Sequence, residues 1–341
     1  MIAENQEGST APQPLVDKRQ VPWLRLFLSF VLSGLGLWFV LRDTSPSAIR
    51  DAFVQAHVGY IFLGFLTILA TIVAKTWRWH LLFHPRPQAP SFAHLFWSLS
   101  LGQLVNTAIP FLRLGELARV YDLGQQSNSS KARALGTLVV EKILDLVMLA
   151  FLLLVLLPYL VLPAIVVDSG LVLALAAIIA FFLLYLMAYH NLLVVRLARK
   201  VIRWLPDPLE RRLLPIVTAG LQGLAALRSP RAIVALFLSS IFITFLSLLT
   251  PFVLFPAFNI ALDLPAASAI HVALTVGMLP PSTPAKVGVF EAIVAFMLAS
   301  FGVENRALIF AYAIVFHMVA IFPQFILGGI AAARGTKDGR R

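Results

Sequence analysis

The chain has 341 residues, of which 60% are hydrophobic and 13% charged, with a mean hydropathy of +0.88 and no cysteine. A soluble domain is about half apolar and a quarter charged, so this composition cannot coat a water-facing surface and defines an integral membrane protein. The missing cysteine excludes disulfides, thiolate nucleophiles and Cys-ligated metal centres. The net charge of +11 reads as basic loops meeting anionic lipid headgroups, not as a nucleic-acid surface, because no basic stripe interleaved with aromatics lies outside the apolar segments.

Residues 1–22 are polar, contain proline and read as a disordered cytoplasmic tail. About 20 apolar residues cross a hydrocarbon core of about 30 Å, and six segments meet that test: 23–41, 58–76, 134–157, 169–190, 232–256 and 306–330. The first has a basic lead but no small-residue cleavage site, so it reads as a span, not a signal peptide. Two further apolar stretches, 92–112 and 266–300, are broken by Pro and Gly and flanked by charge.

Loop charge sets the orientation. The 191–231 segment carries eight Lys and Arg against Asp207 and Glu210, and the 332–341 tail adds Arg334, Lys337, Arg340 and Arg341, so both are expected in the cytoplasm of a plasma (inner) membrane protein. With the N-terminus inside, the six spans alternate consistently. The two broken stretches must then leave and return on one side each, which predicts two re-entrant hairpins from opposite faces. The expected fold is thus an all-α polytopic helical bundle, inverted-repeat-like, in one domain over 23–331. The alternative is that both hairpins are full spans, giving eight or more helices; either way both termini lie inside.

The hairpins carry the chemistry. The first, LGQLVNTAIPFLRLGELARVYDL over 101–123, holds Asn106, Pro110, Arg113, Gly115, Glu116 and Arg119. The second, VGMLPPSTPAKVGVFEAIV over 276–294, holds Pro280, Pro281, Pro284, Lys286, Gly288 and Glu291. Proline removes a backbone donor and breaks a helix, and glycine permits the turn, so each hairpin exposes unpaired amides and a fresh helix N-terminus beside a cation, the elements of an anion site. Irregular backbone at membrane depth must be buried in protein or line a watery cavity.

Arg113 offers a planar fork suited to phosphate and Lys286 a compact charge. Burying either costs about 2.5–3.5 kcal/mol on insertion scales, so Glu116 and Glu291 are the expected counter-charges. Arg113, Glu116 and Arg119 recur every three residues, which aligns them on one helical face. The alternative is that these charges snorkel to the cytoplasmic interface and only anchor the hairpin.

A third cluster, Glu141, Lys142 and Asp145, sits two turns inside a span, with Glu141 and Asp145 on one face. It reads as a charge relay or as a salt bridge locking helices, with at least one acid paired to a hairpin cation or protonated. Trp77 and Trp79 with Lys75 and Arg78 read as an interfacial belt. His271 and His317 read as buried hydrogen-bonding groups or proton-relay residues. His80 and His84 lie one turn apart without a third ligand, so neither a metal nor any other cofactor is expected. The stretch 192–227 reads as helices on the inner leaflet surface.

Together, N-x3-P-x2-R-x-G-E-x2-R at Asn106 to Arg119, E-K-x2-D at Glu141 to Asp145, and P-P-x2-P-x-K-x-G-x2-E at Pro280 to Glu291 resemble the lysylphosphatidylglycerol synthase transmembrane family, also called the flippase-like domain family. The resemblance implies a membrane domain that moves an aminoacylated anionic lipid between leaflets, in a stand-alone form without room for the soluble aminoacyl transferase. It does not carry a substrate with it, because stand-alone members are associated with several lipid and isoprenoid pathways.

The expected function is translocation of a polar, anionic or isoprenoid-phosphate lipid, with Arg113 and Lys286 as phosphate contacts and no catalytic residues. No G-x4-G-K-[ST] motif is present, so any drive is a gradient, a coupled proton or none. Two alternatives stand beside it. One is a membrane-embedded transferase on a lipid-linked substrate; the other is a scaffold that recruits a lipid-synthesis enzyme through 191–231.

Overall fold

A computed structural model describes residues 31, 34, 45–83, 89–109, 114–126, 131–159, 164–204, 207–278 and 283–338, and the described residues form helices and no strands. Twelve α-helices follow in order: α1 (Pro46–Val54), α2 (Val58–Leu82), α3 (Phe92–Ala108), α4 (Leu114–Gln126), α5 (Lys131–Leu156), α6 (Ala164–Tyr189), α7 (Asn191–Ile202), α8 (Asp207–Gln222), α9 (Pro230–Leu254), α10 (Leu264–Gly277), α11 (Val289–Ser300) and α12 (Arg306–Asp338). The expected first span, 23–41, lies almost wholly outside the described residues.

The helix starts are written locally. Ser45, Ser91, Ser229 and Asp263 each cap a helix by accepting the amide of the residue three further on, and Pro46 and Pro230 stand where a missing N–H costs nothing. Asn305 does the same for Leu308 at the start of α12.

Among the described residues, three helices are long and apolar enough to cross a membrane: Val58–Leu82, Pro230–Phe258 and Arg306–Arg334. A fourth span results if α6 and α7 are counted together, but they are bent by 92°. That angle lays α7 across the α6 axis, with Leu193, Leu197 and Val201 exposed beside Arg196, Arg199 and Lys200, and with Trp204 89% exposed just beyond. An amphipathic basic helix of this kind suits a leaflet surface. The expected span over 134–157 is α5, whose 26 residues would reach about 39 Å. It fails on composition, because Glu141, Lys142 and Asp145 interrupt it. Helices α10 and α11, with 14 and 12 residues, reach only about 21 and 18 Å, short of a hydrocarbon core.

The outward faces of α2, α6 and α9 are apolar; Phe62, Leu66, Ile178, Phe182, Leu238 and Phe242 are all exposed, as lipid contact requires. Inside, two large cores divide the molecule, beside two small apolar clusters around Leu152 and Ile243. Trp79, Leu95, Leu123, Leu144 and Leu236 gather α2, α3, α4, α5 and α9 into one. Phe258, Ile270, Leu274, Phe290, Val294 and Tyr312 gather the end of α9 with α10, α11 and α12 into the other. Ile68 of α2 packs against both. Each broken motif therefore has a core of its own, and α2 crossing α9 joins them. The α12 helix then packs on α3 where Gly328 meets the backbone of Ser100; a Cβ there would come within 2.8 Å of the Ser100 oxygen.

Candidate functional site

The first motif folds as a helical hairpin of α3 and α4 whose arms touch backbone to backbone. A Cβ on Gly102 would come within 2.6 Å of the Gly115 carbonyl oxygen, and one on Gly115 would overlap the Gly102 carbonyl outright. Only glycine fits both sides of this crossing. Asn106, one turn after Gly102, fixes the register. Its Oδ1 accepts the Gly115 amide at 2.8 Å and its Nδ2 donates to Glu116 at 3.1 Å. The sequence spacing N-x8-G-E is thus a tie across the hairpin.

From this tie a chain of charges runs into the bundle. Lys142 of α5 lies 3.0 Å from Glu116 Oε1. Arg119, 4% exposed, donates to Glu141 Oε2 at 2.6 Å and its guanidinium covers the Trp79 ring at 4.6 Å. Arg78 of α2, 1% exposed, donates to Asp145 at 2.6 Å and to Ser240 of α9 at 3.1 Å. Glu141 and Asp145 are one turn apart on α5, so a single helical face receives a cation from α4 and another from α2. Glu116, the expected counter-charge of Arg113, is held by Lys142 and Asn106. Arg113 and Pro110 lie outside the described residues.

These charges line a cavity of about 170 Å³ between α2, α3, α4 and α5, with Lys75, Gln103, Asn106, Glu116, Arg119 and Lys142 on its walls. Lys75 and Arg78 depart from the sequence reading. Both were expected in an interfacial belt, yet Arg78 is buried and ion-paired and Lys75 faces the cavity. The signal that would have found Arg78 was Asp145 itself, an acid inside a span that needs a counter-charge at matching depth.

The second motif does not line that cavity among the described residues. Past Thr283 the chain makes a 3-10 turn, Pro284–Lys286, with φ at +53° for Ala285 and +60° for Lys286, and +88° for Gly288. Two non-glycine residues in the left-handed region mark a turn that its surroundings must hold. The Thr283 hydroxyl donates to the Val287 carbonyl at 2.8 Å. Glu291, 4% exposed, accepts the Gly288 amide at 2.7 Å, which caps α11. His317 of α12 completes the clamp. Its Nδ1 meets Glu291 Oε1 at 2.7 Å, its Nε2 meets the Ala285 carbonyl oxygen at 2.8 Å, and the Phe290 ring stacks on its face.

A carbonyl oxygen only accepts, so Nε2 must carry a proton; a second proton must then lie between Nδ1 and the carboxyl. Glu291, expected to balance Lys286, therefore serves His317 and the helix cap. Lys286 Nζ lies 3.5 Å from the Met278 sulfur. The two motifs still meet: α3 packs against the Pro284–Lys286 turn. Pro281 lies outside the described residues.

A helical membrane protein with paired charges buried along a broken-helix hairpin is the class that this geometry defines. The chain belongs to the family described as the lysylphosphatidylglycerol synthase TM region, which matches residues 26–328. It is 22% identical over 315 residues to "UPF0104 membrane protein MJ1595" of Methanocaldococcus jannaschii, covering 88% of this chain and 92% of that one. No solved structure matches.

Proposed function

We propose that this protein translocates a polar, anionic or isoprenoid-phosphate lipid between the leaflets of the plasma membrane, with both termini in the cytoplasm and without enzymatic chemistry of its own. One observation carries the reading: a cavity walled by Lys75, Arg119 and Lys142 lies at the Gly102–Gly115 crossing, inside a bundle whose outer faces are apolar. A charged headgroup crossing a bilayer needs such a polar interior while its acyl chains stay in lipid.

The short helices α10 and α11 and the turn between them suit a re-entrant hairpin, since irregular backbone is tolerated at depth where protein buries it. The packing of α3 on that turn suits two hairpins that enter from opposite faces and meet near the midplane. The membrane lipid is then the partner that matters; Arg113 and Lys286 are proposed as phosphate contacts along its path, Lys286 at a point outside the Lys75 cavity, whose lining does not include it.

Native mass spectrometry of gently extracted protein tests the headgroup assignment. The wild type should retain an anionic lipid that Arg113→Ala and Lys286→Ala both lose. Equal retention by all three proteins would remove those two residues from the site.

A further inference from the structure

The three acids that reach the cavity are each already bridged: Glu116 by Lys142, Glu141 by Arg119, and Asp145 by Arg78. Lys75, on the same wall, makes no hydrogen bond or ion pair among the described residues. Opposite in chemistry, Gln103 on α3 lines the same space with a buried Oε1 that has no hydrogen-bond partner. The cavity thus presents one cation bridged to no acid and one amide oxygen awaiting a donor, while Arg119, though bridged to Glu141, keeps a buried Nε without an acceptor. Its volume of about 170 Å³ is the share of about six liquid waters, room for a phosphate and a short polyol.

We infer that Lys75 and Gln103 form the recognition pair for a hydroxylated phosphate ester: the Lys75 ammonium takes the phosphate, and the Gln103 amide oxygen takes a hydroxyl of the attached glycerol or sugar. This rests on the cavity being the headgroup site of the proposed translocase. The preference has a physical source. A choline headgroup offers no donor and would leave the Gln103 oxygen buried and unpaired. An ammonium headgroup would meet the Lys75, Arg119 and Lys142 charges.

Binding of dihexanoylphosphatidylglycerol, dihexanoylphosphatidylcholine and free glycerol 3-phosphate to the full chain in detergent tests the pair. The wild type should prefer phosphatidylglycerol to phosphatidylcholine. Lys75→Met should weaken phosphatidylglycerol at least about tenfold, the worth of one charge-assisted hydrogen bond, and Lys75→Arg should retain most of the affinity.

Gln103→Leu leaves every charge in place, so it tests the pair even if Lys75→Met fails to fold. It should reduce the preference for phosphatidylglycerol over phosphatidylcholine by about the worth of one hydrogen bond, about fivefold, leaving the part that the three cations supply. Glycerol 3-phosphate binding as tightly as the lipid would assign the same site to a soluble phosphate ester; much weaker binding would assign it to the lipid. Unchanged phosphatidylglycerol affinity in Lys75→Met, or an intact preference in Gln103→Leu, overturns the inference. Loss of binding in Lys75→Met with no lipid movement by the wild type in vesicles would instead retain the site and reject the translocase.

Discussion

One imidazole ring holds both the second turn and the helix that follows it: His317 Nε2 binds the Ala285 carbonyl while Nδ1 binds Glu291, whose other oxygen caps α11 at Gly288. The geometry needs two protons on a pair that would carry one as neutral imidazole and carboxylate. The clamp is therefore an imidazolium beside a carboxylate, or a neutral ring beside a carboxylic acid.

Glu291→Gln should preserve this clamp, because the amide supplies covalently the proton that the pair otherwise shares and still accepts the Gly288 N–H. Glu291→Ala leaves His317 and Gly288 without partners and should cost about 3–5 kcal/mol. Thermal unfolding in detergent separates the two. A Gln variant as unstable as the Ala variant would show that the charge, and not the hydrogen bonds, holds the turn.

Arg78→Ala should be among the most destabilising single changes in α2, since it strands Asp145 and removes the bond to Ser240. Asp145 is 43% exposed at the cavity and keeps some solvation, so the expected loss is that of a charge-assisted hydrogen bond, about 1.5–3 kcal/mol. The double change Arg78→Met with Asp145→Leu should recover much of it, because no unpaired charge remains. Equal Tm values for the single and the double variant would contradict this.

Gly115→Ala should open the first hairpin, as its new Cβ overlaps the Gly102 carbonyl oxygen, which is backbone, as well as the Asn106 side chain that ties the two arms. Gly59→Ala is the matched control: nothing lies within 4 Å of its Cβ, and a helical Ala should stabilise by about 0.5–1 kcal/mol. Thermal unfolding should therefore shift in opposite directions. A tolerated Gly115→Ala would deny the close crossing.

Much of the first site was legible before its geometry was known. Asn106, Gly115 and Glu116 were placed in one hairpin by sequence, but that Asn106 ties its two arms through Gly115 and Glu116 came only from the geometry. Glu141 and Asp145 share a face by helical period. The partners were not legible, because they arrive from elsewhere in the fold. Lys142 reaches Glu116 from α5, and His317 reaches Glu291 from a helix that begins after α11 has ended. Lys75 and Arg78 were misplaced for a different reason. Hydropathy ends the span near residue 76, but the helix continues to Leu82 against other helices, so charges at an apparent interface are buried by protein.

Relief of backbone strain offers a separate check on the second turn. Ala285 sits at φ +53°, a region that costs an L-residue about 1–2 kcal/mol. Ala285→Gly should thus raise Tm without touching Lys286, Glu291 or His317. A lower Tm would place the turn's stability in the alanine side chain instead.

Translocation is read as lipid movement in vesicles that contain the purified protein and a fluorescent phosphatidylglycerol, quenched from outside with dithionite. Label from the inner leaflet should become accessible faster than in protein-free vesicles, and Arg119→Ala, with the buried pair to Glu141 broken, should abolish the gain. Identical quenching with and without protein, across phosphatidylglycerol and isoprenoid-phosphate probes, would contradict translocation.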